Sequence, residues 1–372
     1  MNPVKILYKL IERGRKGQNI GISTGLPKLD KYVGGVQKGI YTLLFGGSGA
    51  GKSTYALYCY IYRPLKDNPN ADIKIIYDSL EMSAEILLAK LLCMYIYEEY
   101  GCIIPYSDLL SWTDILGDEP YEYVLKGEQW LKSIVDKNLI IYDKSLNASR
   151  FYKTSMELLE QWGEFIESED GRRKIYIKRN PQQIILRIVD HLGLVTPAEG
   201  RNKKDEMDLV SAYAVTLREK CNMSFLILQQ ENRNAADMDR RKADMSEPSA
   251  EDLKQTGNTY NDCDVCIGIY NPLKHKIKTY RGFKIIIENA TNAFIGLRDR
   301  YRSLVIIKNR YGQSDKIIST NFFGEISYIR EIECKGEDII DYTPYLSLKN
   351  QKEQEKVKDT EEIQFDFSNF KF

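Results

Sequence analysis

Histidine is nearly missing from this chain, two in 372 residues, which leaves few ligands for a metal centre. No apolar run reaches the roughly 18 residues of a membrane-spanning helix. The stretch Met1 to Lys16 interleaves Lys, Glu and Arg with apolar residues, which excludes a secretory signal. Net charge is absent too: 53 Lys plus Arg balance 53 Asp plus Glu. A protein that coats nucleic acid along its outside is normally basic, but local basic loops remain open, so composition does not decide the partner. The seven cysteines are odd in number and lack framework spacing, and they read as reduced thiols of a cytoplasmic protein. Cys263 and Cys266 form a C-x-x-C with no second pair nearby; they read as small residues of the buried strand Asp264–Tyr270. No internal repeat is evident.

What is present is an alternating α/β pattern. An amphipathic helix opens the chain, with Val4, Ile6, Leu7, Leu10 and Ile11 at helical spacing and a linker at Gly14–Gly17. Its apolar stripe can pack on its own domain or on a neighbouring subunit. Strands are expected at Tyr41–Phe45, Ile73–Tyr77, Leu139–Tyr142, Ile184–Val189, Ser224–Leu228, Val265–Tyr270, Ser303–Lys308 and Ile317–Phe323. Helices are expected at Lys52–Tyr62, Ser83–Glu99, Ser155–Glu167 and Asp208–Cys221. Continuous apolar strands separated by helices predict a mostly parallel sheet covered on both faces. The closely spaced late strands predict an antiparallel finish. Ser168–Gln183 reads as a surface hairpin and Gln230–Asp252 as a long polar loop. The expected organisation is a linker helix over 1–20, one domain over 21–345, and a tail over 346–372 that is disordered in isolation.

Gly46-Gly47-Ser48-Gly49-Ala50-Gly51-Lys52-Ser53 matches G-x-x-x-x-G-K-[ST] without departure, between a strand and a helix as the motif requires. Glycines let consecutive N–H groups turn inward around phosphates, and the helix N-terminus adds positive potential. Lys52 places a point charge on the β- and γ-phosphates of ATP, and the Ser53 hydroxyl ligates Mg²⁺. Thr54 completes the first helical turn and is grouped with the nucleotide-binding residues. Average residue frequencies give this pattern in about one chain of such length in a hundred. Hydrolysis also needs a group that positions water and a carboxylate behind the magnesium. From position alone Glu81 and Asp190 are the candidates, with Asp78 competing with Glu81.

These residues resemble the motor domain of DnaB-type replicative helicases, a RecA-like P-loop fold. Thr24-Gly-Leu-Pro-Lys-Leu-Asp30 and Gly34-Gly35 are similar to the entry to that domain. Ser79-Leu-Glu-Met-Ser-Ala-Glu85 resembles the signature after its second strand, and Ile188–Leu194 its Walker B strand. Leu228–Arg233, Glu251–Gly257 with Asp262 and Asp264, and Ile307–Gly312 resemble later blocks, in order, from about Gly21 to Arg330. The resemblance implies that Glu81 polarises the attacking water, Asp190 holds Mg²⁺ through its water shell, and Gln230 senses the γ-phosphate. It implies that Lys308 and Arg310 reach the nucleotide of an adjacent subunit; two apart on one strand, they point the same way.

A site shared between subunits implies head-to-tail assembly, closing as a ring or extending as a filament; the family precedent is a six-subunit ring around single-stranded DNA. The implied DNA contacts are Arg201, Lys203 and Lys204 after the Walker B strand, with Arg233, Arg240, Arg241, Lys242 and Lys254 in or beside the polar loop. Two departures stand out. About twenty residues precede the motor, where the family carries a primase-binding domain, which suggests a phage or mobile-element version. His191 replaces a more usual aromatic residue and is given no catalytic role. Gln364-Phe-Asp-Phe367 with Phe370 resembles peptides that dock on sliding clamps or other replisome partners. The expected function is an ATP-driven DNA helicase; the alternative is a RecA-like DNA-binding recombinase or another RecA-fold DNA motor.

Overall fold

The computed structural model describes residues 3–168, 174–231, 247–253, 258–286 and 296–333. In chain order its longer helices are α1 (Pro3–Arg15), α2 (Pro27–Val33), α3 (Lys52–Leu57), α4 (Arg63–Asp67), α5 (Ala84–Tyr100), α6 (Tyr106–Leu109), α7 (Asp118–Lys137), α8 (Ala148–Trp162) and α9 (Lys203–Cys221). The strands are β1 (Tyr41–Gly46), β2 (Ile73–Ser79), β3 (Leu139–Tyr142), β4 (Gly163–Glu167), β5 (Lys174–Lys178), β6 (Ile184–Asp190), β7 (Ser224–Gln230), β8 (Val265–Tyr270), β9 (Thr279–Tyr280), β10 (Phe283–Lys284), β11 (Tyr301–Asn309), β12 (Lys316–Phe323) and β13 (Tyr328–Glu331).

Nine strands make one sheet in the order β13-β12-β11-β8-β1-β7-β6-β2-β3. The six from β8 to β3 run parallel, and β11, β12 and β13 are antiparallel. β4–β5 and β9–β10 are separate antiparallel hairpins. Every residue of β1, β6 and β8 is buried, as continuous apolar runs require when both faces are covered. The pleat sorts β1 between two cores. Leu44 faces Tyr55, Leu57, Leu87 and Leu91 of α3 and α5. Leu43 and Phe45 face Phe151, Leu159, Val210 and Leu217 of α8 and α9. Among the described residues no helix is long and apolar enough to cross a membrane.

Several expected elements are corrected. The helix placed at Ser155–Glu167 runs from Ala148 to Trp162, because the Asn147 side chain caps it by accepting from the Arg150 N–H at 2.8 Å. Gly163 then turns the chain into β4, so the hairpin placed at Ser168–Gln183 begins at Gly163, pairing with Lys178. The helix placed at Asp208–Cys221 starts at Lys203, capped by Asn202. The helix from Lys52 continues to Asp67 with a π-helical stretch at Tyr58–Tyr62. α7 and β13 were not expected. α1 has no buried residue, so its stripe is not packed on the described domain. Most of the loop placed at Gln230–Asp252 and the whole tail over 346–372 lie outside the described residues.

Candidate functional site

Parallel pairing brings the C-terminal ends of four strands to one edge of the sheet. Gly46 of β1 lies beside Gln230 of β7, Val189 of β6 beside Ile227, and Ser79 of β2 beside Asp190. Open α/β sheets bind their ligands at such an edge. The Gly46–Gly51 loop joins β1 to α3 there, with Gly49 and Gly51 at φ +67° and +103°, the left-handed region that glycine alone enters freely. A Cβ on Gly51 would stand 2.5 Å from the Phe322 ring, so the cradle is shaped by tertiary contact as well.

The Lys52 ammonium donates to the carbonyls of Gly46 and Gly47 at 3.0 and 3.2 Å, at the mouth of the cradle. Burial pulls its pKa below the ordinary lysine value, against the raising influence of Asp190, Glu81 and Glu231 and together with Lys274. Those four charges therefore lie within electrostatic reach of the cradle. Thr54 is buried in the first turn of α3.

Asp190 ends β6 with its carboxylate buried. Oδ2 accepts from the Tyr77 hydroxyl at 2.6 Å, while Oδ1 has no hydrogen-bond partner in the protein. Burial raises its pKa, while the Ser53 and Tyr77 hydroxyls pull it back. A buried carboxylate oxygen without a protein partner, next to the P-loop serine, suits the water shell of a hard divalent cation. The residues present therefore fit Mg²⁺.

Asp78 is excluded as an alternative to Glu81. Its two oxygens accept from Arg187 Nε and Nη2 at 2.7 and 2.8 Å, and both side chains are fully buried on the α8 face. Glu81 lies past β2 and is exposed, following Leu80, whose N–H donates to the Asp190 carbonyl at 2.8 Å. His191 is half-buried next to Asp190.

Gln230 lies at the cradle in register with Gly46. Its neighbour Glu231 reaches the loop, with Oε1 2.7 Å from where a Gly47 Cβ would be. Glu231, Lys274 and Arg302 reach the loop and Tyr77 reaches Asp190, each from a separate element; only Glu231 falls within a stretch that resembles the family, and no local pattern marks the other three.

Lys308 and Arg310 lie at the other end of the sheet. Lys308 pairs with Cys266 and Asn309 with Val265, which stands beside Thr42. From Thr42 to Gly46 is four residues, roughly 13 Å along β1. β11 ends at Asn309, so Arg310 follows the strand. The two cations nonetheless converge: Lys308 Nζ and Arg310 Nη2 both donate to the Asn261 carbonyl, at 3.0 and 3.1 Å. Arg310 also pairs with buried Asp264 at 3.1 Å and stays 44% exposed, available to a second partner. Cys263 and Cys266 are both buried beside this group.

Arg201, Lys203 and Lys204 are exposed at the start of α9, where the helix dipole adds positive potential. Arg201 is held by buried Glu206 at 3.4 Å. Arg233, Arg240, Arg241, Lys242 and Lys254 lie outside the described residues.

Comparison with known proteins bears on the family and the fold. The sequence model of the DnaB-like helicase C terminal domain matches residues 21–99 and 146–331. The replicative DNA helicase DnaB of Helicobacter pylori is 24% identical over 265 residues, covering 70% of this chain and 46% of that protein. The one from Rickettsia felis is 26% identical over 277 residues, covering 72% and 49%. The chain thus spans about half the length of the curated relatives it matches. Among solved structures, an isolated ATPase domain aligns with a TM-score of 0.67 at 16% identity, over 89% of this chain and 99% of that one. A DnaB-like replicative helicase, solved in a study of its interactions with primase, aligns with a TM-score of 0.64 at 16% identity, over 90% and 67%. Both share the RecA-like fold, a mostly parallel sheet with an antiparallel end.

Proposed function

This chain belongs to the DnaB-like helicase C-terminal domain family, and from that premise we propose that it is an ATP-dependent replicative DNA helicase whose active site is shared between subunits. Lys52 binds the β- and γ-phosphates of ATP, and the N–H groups from Gly47 to Thr54 surround them. Glu81, next to the cradle and open to water, orients the attacking water and accepts its proton. Ser53 and Asp190 would hold Mg²⁺, which when bound neutralises charge on the phosphate oxygens. Gln230, at the end of the strand beside β1, senses whether the γ-phosphate is present.

The observation that carries the shared site is the placement of Lys308 and Arg310 together, at the end of the sheet away from their own cradle. A neighbour docked head to tail brings its cradle to them. Repetition of that contact gives a closed ring, six-membered by family precedent, or an open filament. Single-stranded DNA is the substrate track, contacted by Arg201, Lys203 and Lys204, and by Arg233, Arg240, Arg241, Lys242 and Lys254. The Phe-rich segment near Phe367 is the candidate contact for a replisome partner.

Mixing two inactive variants tests the shared site. Lys52→Ala lacks the cradle charge but offers the cations; Arg310→Ala has the cradle but lacks a cation worth about 10³–10⁵ in rate. Each alone is expected to be inactive in ATP turnover and in unwinding a forked substrate. An equal mixture should recover turnover at about a quarter of its interfaces, by random head-to-tail assortment. Full turnover by assembled Arg310→Ala sinks the shared-site reading. Turnover by wild type without unwinding sinks the helicase reading alone.

A further inference from the structure

Two cations outside every recognised motif grip the phosphate loop from behind. Lys274 lies on the 3₁₀ turn Pro272–His275 that follows β8, and its ammonium donates to the carbonyl of Ser48. The same nitrogen stands 3.0 Å from where a Gly49 Cβ would be. Arg302, on β11 and fully buried, donates from Nε to the carbonyl of Ala50 at 3.2 Å and stacks over the Phe322 ring at 4.7 Å. The two are tied together through Asp299. Its carboxylate accepts from Arg302 Nη2 at 2.8 Å and from Asn271 Nδ2 at 3.3 Å, and Asn271 caps the turn that bears Lys274.

A trans peptide is planar, with its C=O and its N–H pointing in opposite directions. If the Ser48 and Ala50 carbonyls are held on the outer side of the loop, the N–H groups of Gly49 and Gly51 must face the other way, into the cradle. The left-handed φ of both glycines means that these peptide planes are the ones free to flip. A flipped plane would present a carbonyl oxygen to the phosphates in place of a donor. We propose that Lys274 and Arg302 are positioning residues of the phosphate site, locking the Ser48–Gly49 and Ala50–Gly51 peptide planes with their N–H groups turned toward the nucleotide. Preorganised donors of this kind bind an anion without reorganising when it arrives, and the two charges add to the positive potential of the loop.

This inference rests on the reading of the loop as a nucleotide site. Lys274 is exposed, so its replacement leaves the packing intact, and it carries the test. Binding of Mg-ATP and Mg-ADP to the full chain is measured by titration calorimetry for wild type, Lys274→Met and Lys274→Arg, alongside the thermal midpoint without nucleotide. Lys274→Met is expected to weaken both nucleotides by about tenfold, the scale of a hydrogen bond from a charged group. Lys274→Arg should restore most of the loss, and the midpoint should not move. Unchanged binding by Lys274→Met overturns the inference, as does a loss for ATP alone, which would make the lysine a direct γ-phosphate contact. Lost binding with a lowered midpoint overturns it too. If wild type itself binds neither nucleotide, the fault lies in the nucleotide-site reading.

Discussion

Two aspartates lie at the ends of the neighbouring strands β2 and β6, one residue before the end in Asp78 and last in Asp190, and their surroundings differ. Asp78 is saturated: Arg187 holds both oxygens, and Arg187 in turn donates to the Phe151 carbonyl at 2.7 Å and to Ser155 at 2.7 Å. Asp190 keeps one buried oxygen without a protein partner. The first is a structural ion pair and the second is fit to hold an ion's water shell. Breaking a buried pair by removing one member strands a charge. Arg187→Met is therefore expected to cost about 3–5 kcal/mol in urea unfolding, and adding Asp78→Asn should recover part of it. Lys178 offers a pH test. Burial, then Lys38, lowers its pKa to about 8, while its ammonium donates to the carbonyls of Gln183 and Asn222. The folded protein loses that proton near pH 8 and the unfolded chain near the ordinary lysine value. Unfolded chains bind more protons between those limits, so stability relative to Lys178→Met should rise with pH there. Chemical denaturation from pH 7 to 10 checks this, and a flat difference contradicts it.

At the scale of elements, the phosphate loop depends on a strand distant in sequence. Phe322 of β12 fills the space beside Gly51, whose φ of +103° already resists a side chain. Gly51→Ala should abolish ATP binding while circular dichroism stays native, because the strain is confined to the loop; retained binding would show a loop more pliant than this. Helix α7 does carry an apolar stripe, with Val124, Leu131 and Ile134 facing the core, but Gly127 in its middle and its many charged residues mask it in the sequence. It also lies within 100–145, between the two stretches that match the family. α8 was misplaced for the opposite reason. Its apolar pattern continues into β4, and only Gly163, extended and paired with Lys178, separates helix from strand.

For the whole molecule, the proposed assembly rests on the cradle and the Lys308–Arg310 pair standing at opposite ends of one sheet. α1 carries Val4, Ile6, Leu7, Leu10 and Ile11 about half exposed, with no buried residue. Among the described residues nothing covers this stripe, and a neighbouring subunit is the occupant to test. Removing residues 1–16 is expected to shift the protein toward monomer in light scattering and to lower turnover per chain, with nucleotide affinity retained. A truncated chain that assembles like wild type would leave α1 without that role.

Residue patterns alone specify the phosphate loop, the strand that ends in Asp190, and the parallel sheet with an antiparallel end. These are backbone demands satisfied by neighbouring residues: glycines where φ must be positive, and unbroken apolar runs where both faces are covered. Packing across the fold sets the rest: Asp78 is taken by Arg187, Lys274 and Arg302 donate to the loop carbonyls, and Lys308 and Arg310 meet on one carbonyl far from Gly46. Each of those facts depends on the register between strands or turns up to 252 residues apart, as Arg302 is from Ala50. Local residue patterns do not encode such register; the packing of one sheet between two helical layers sets it.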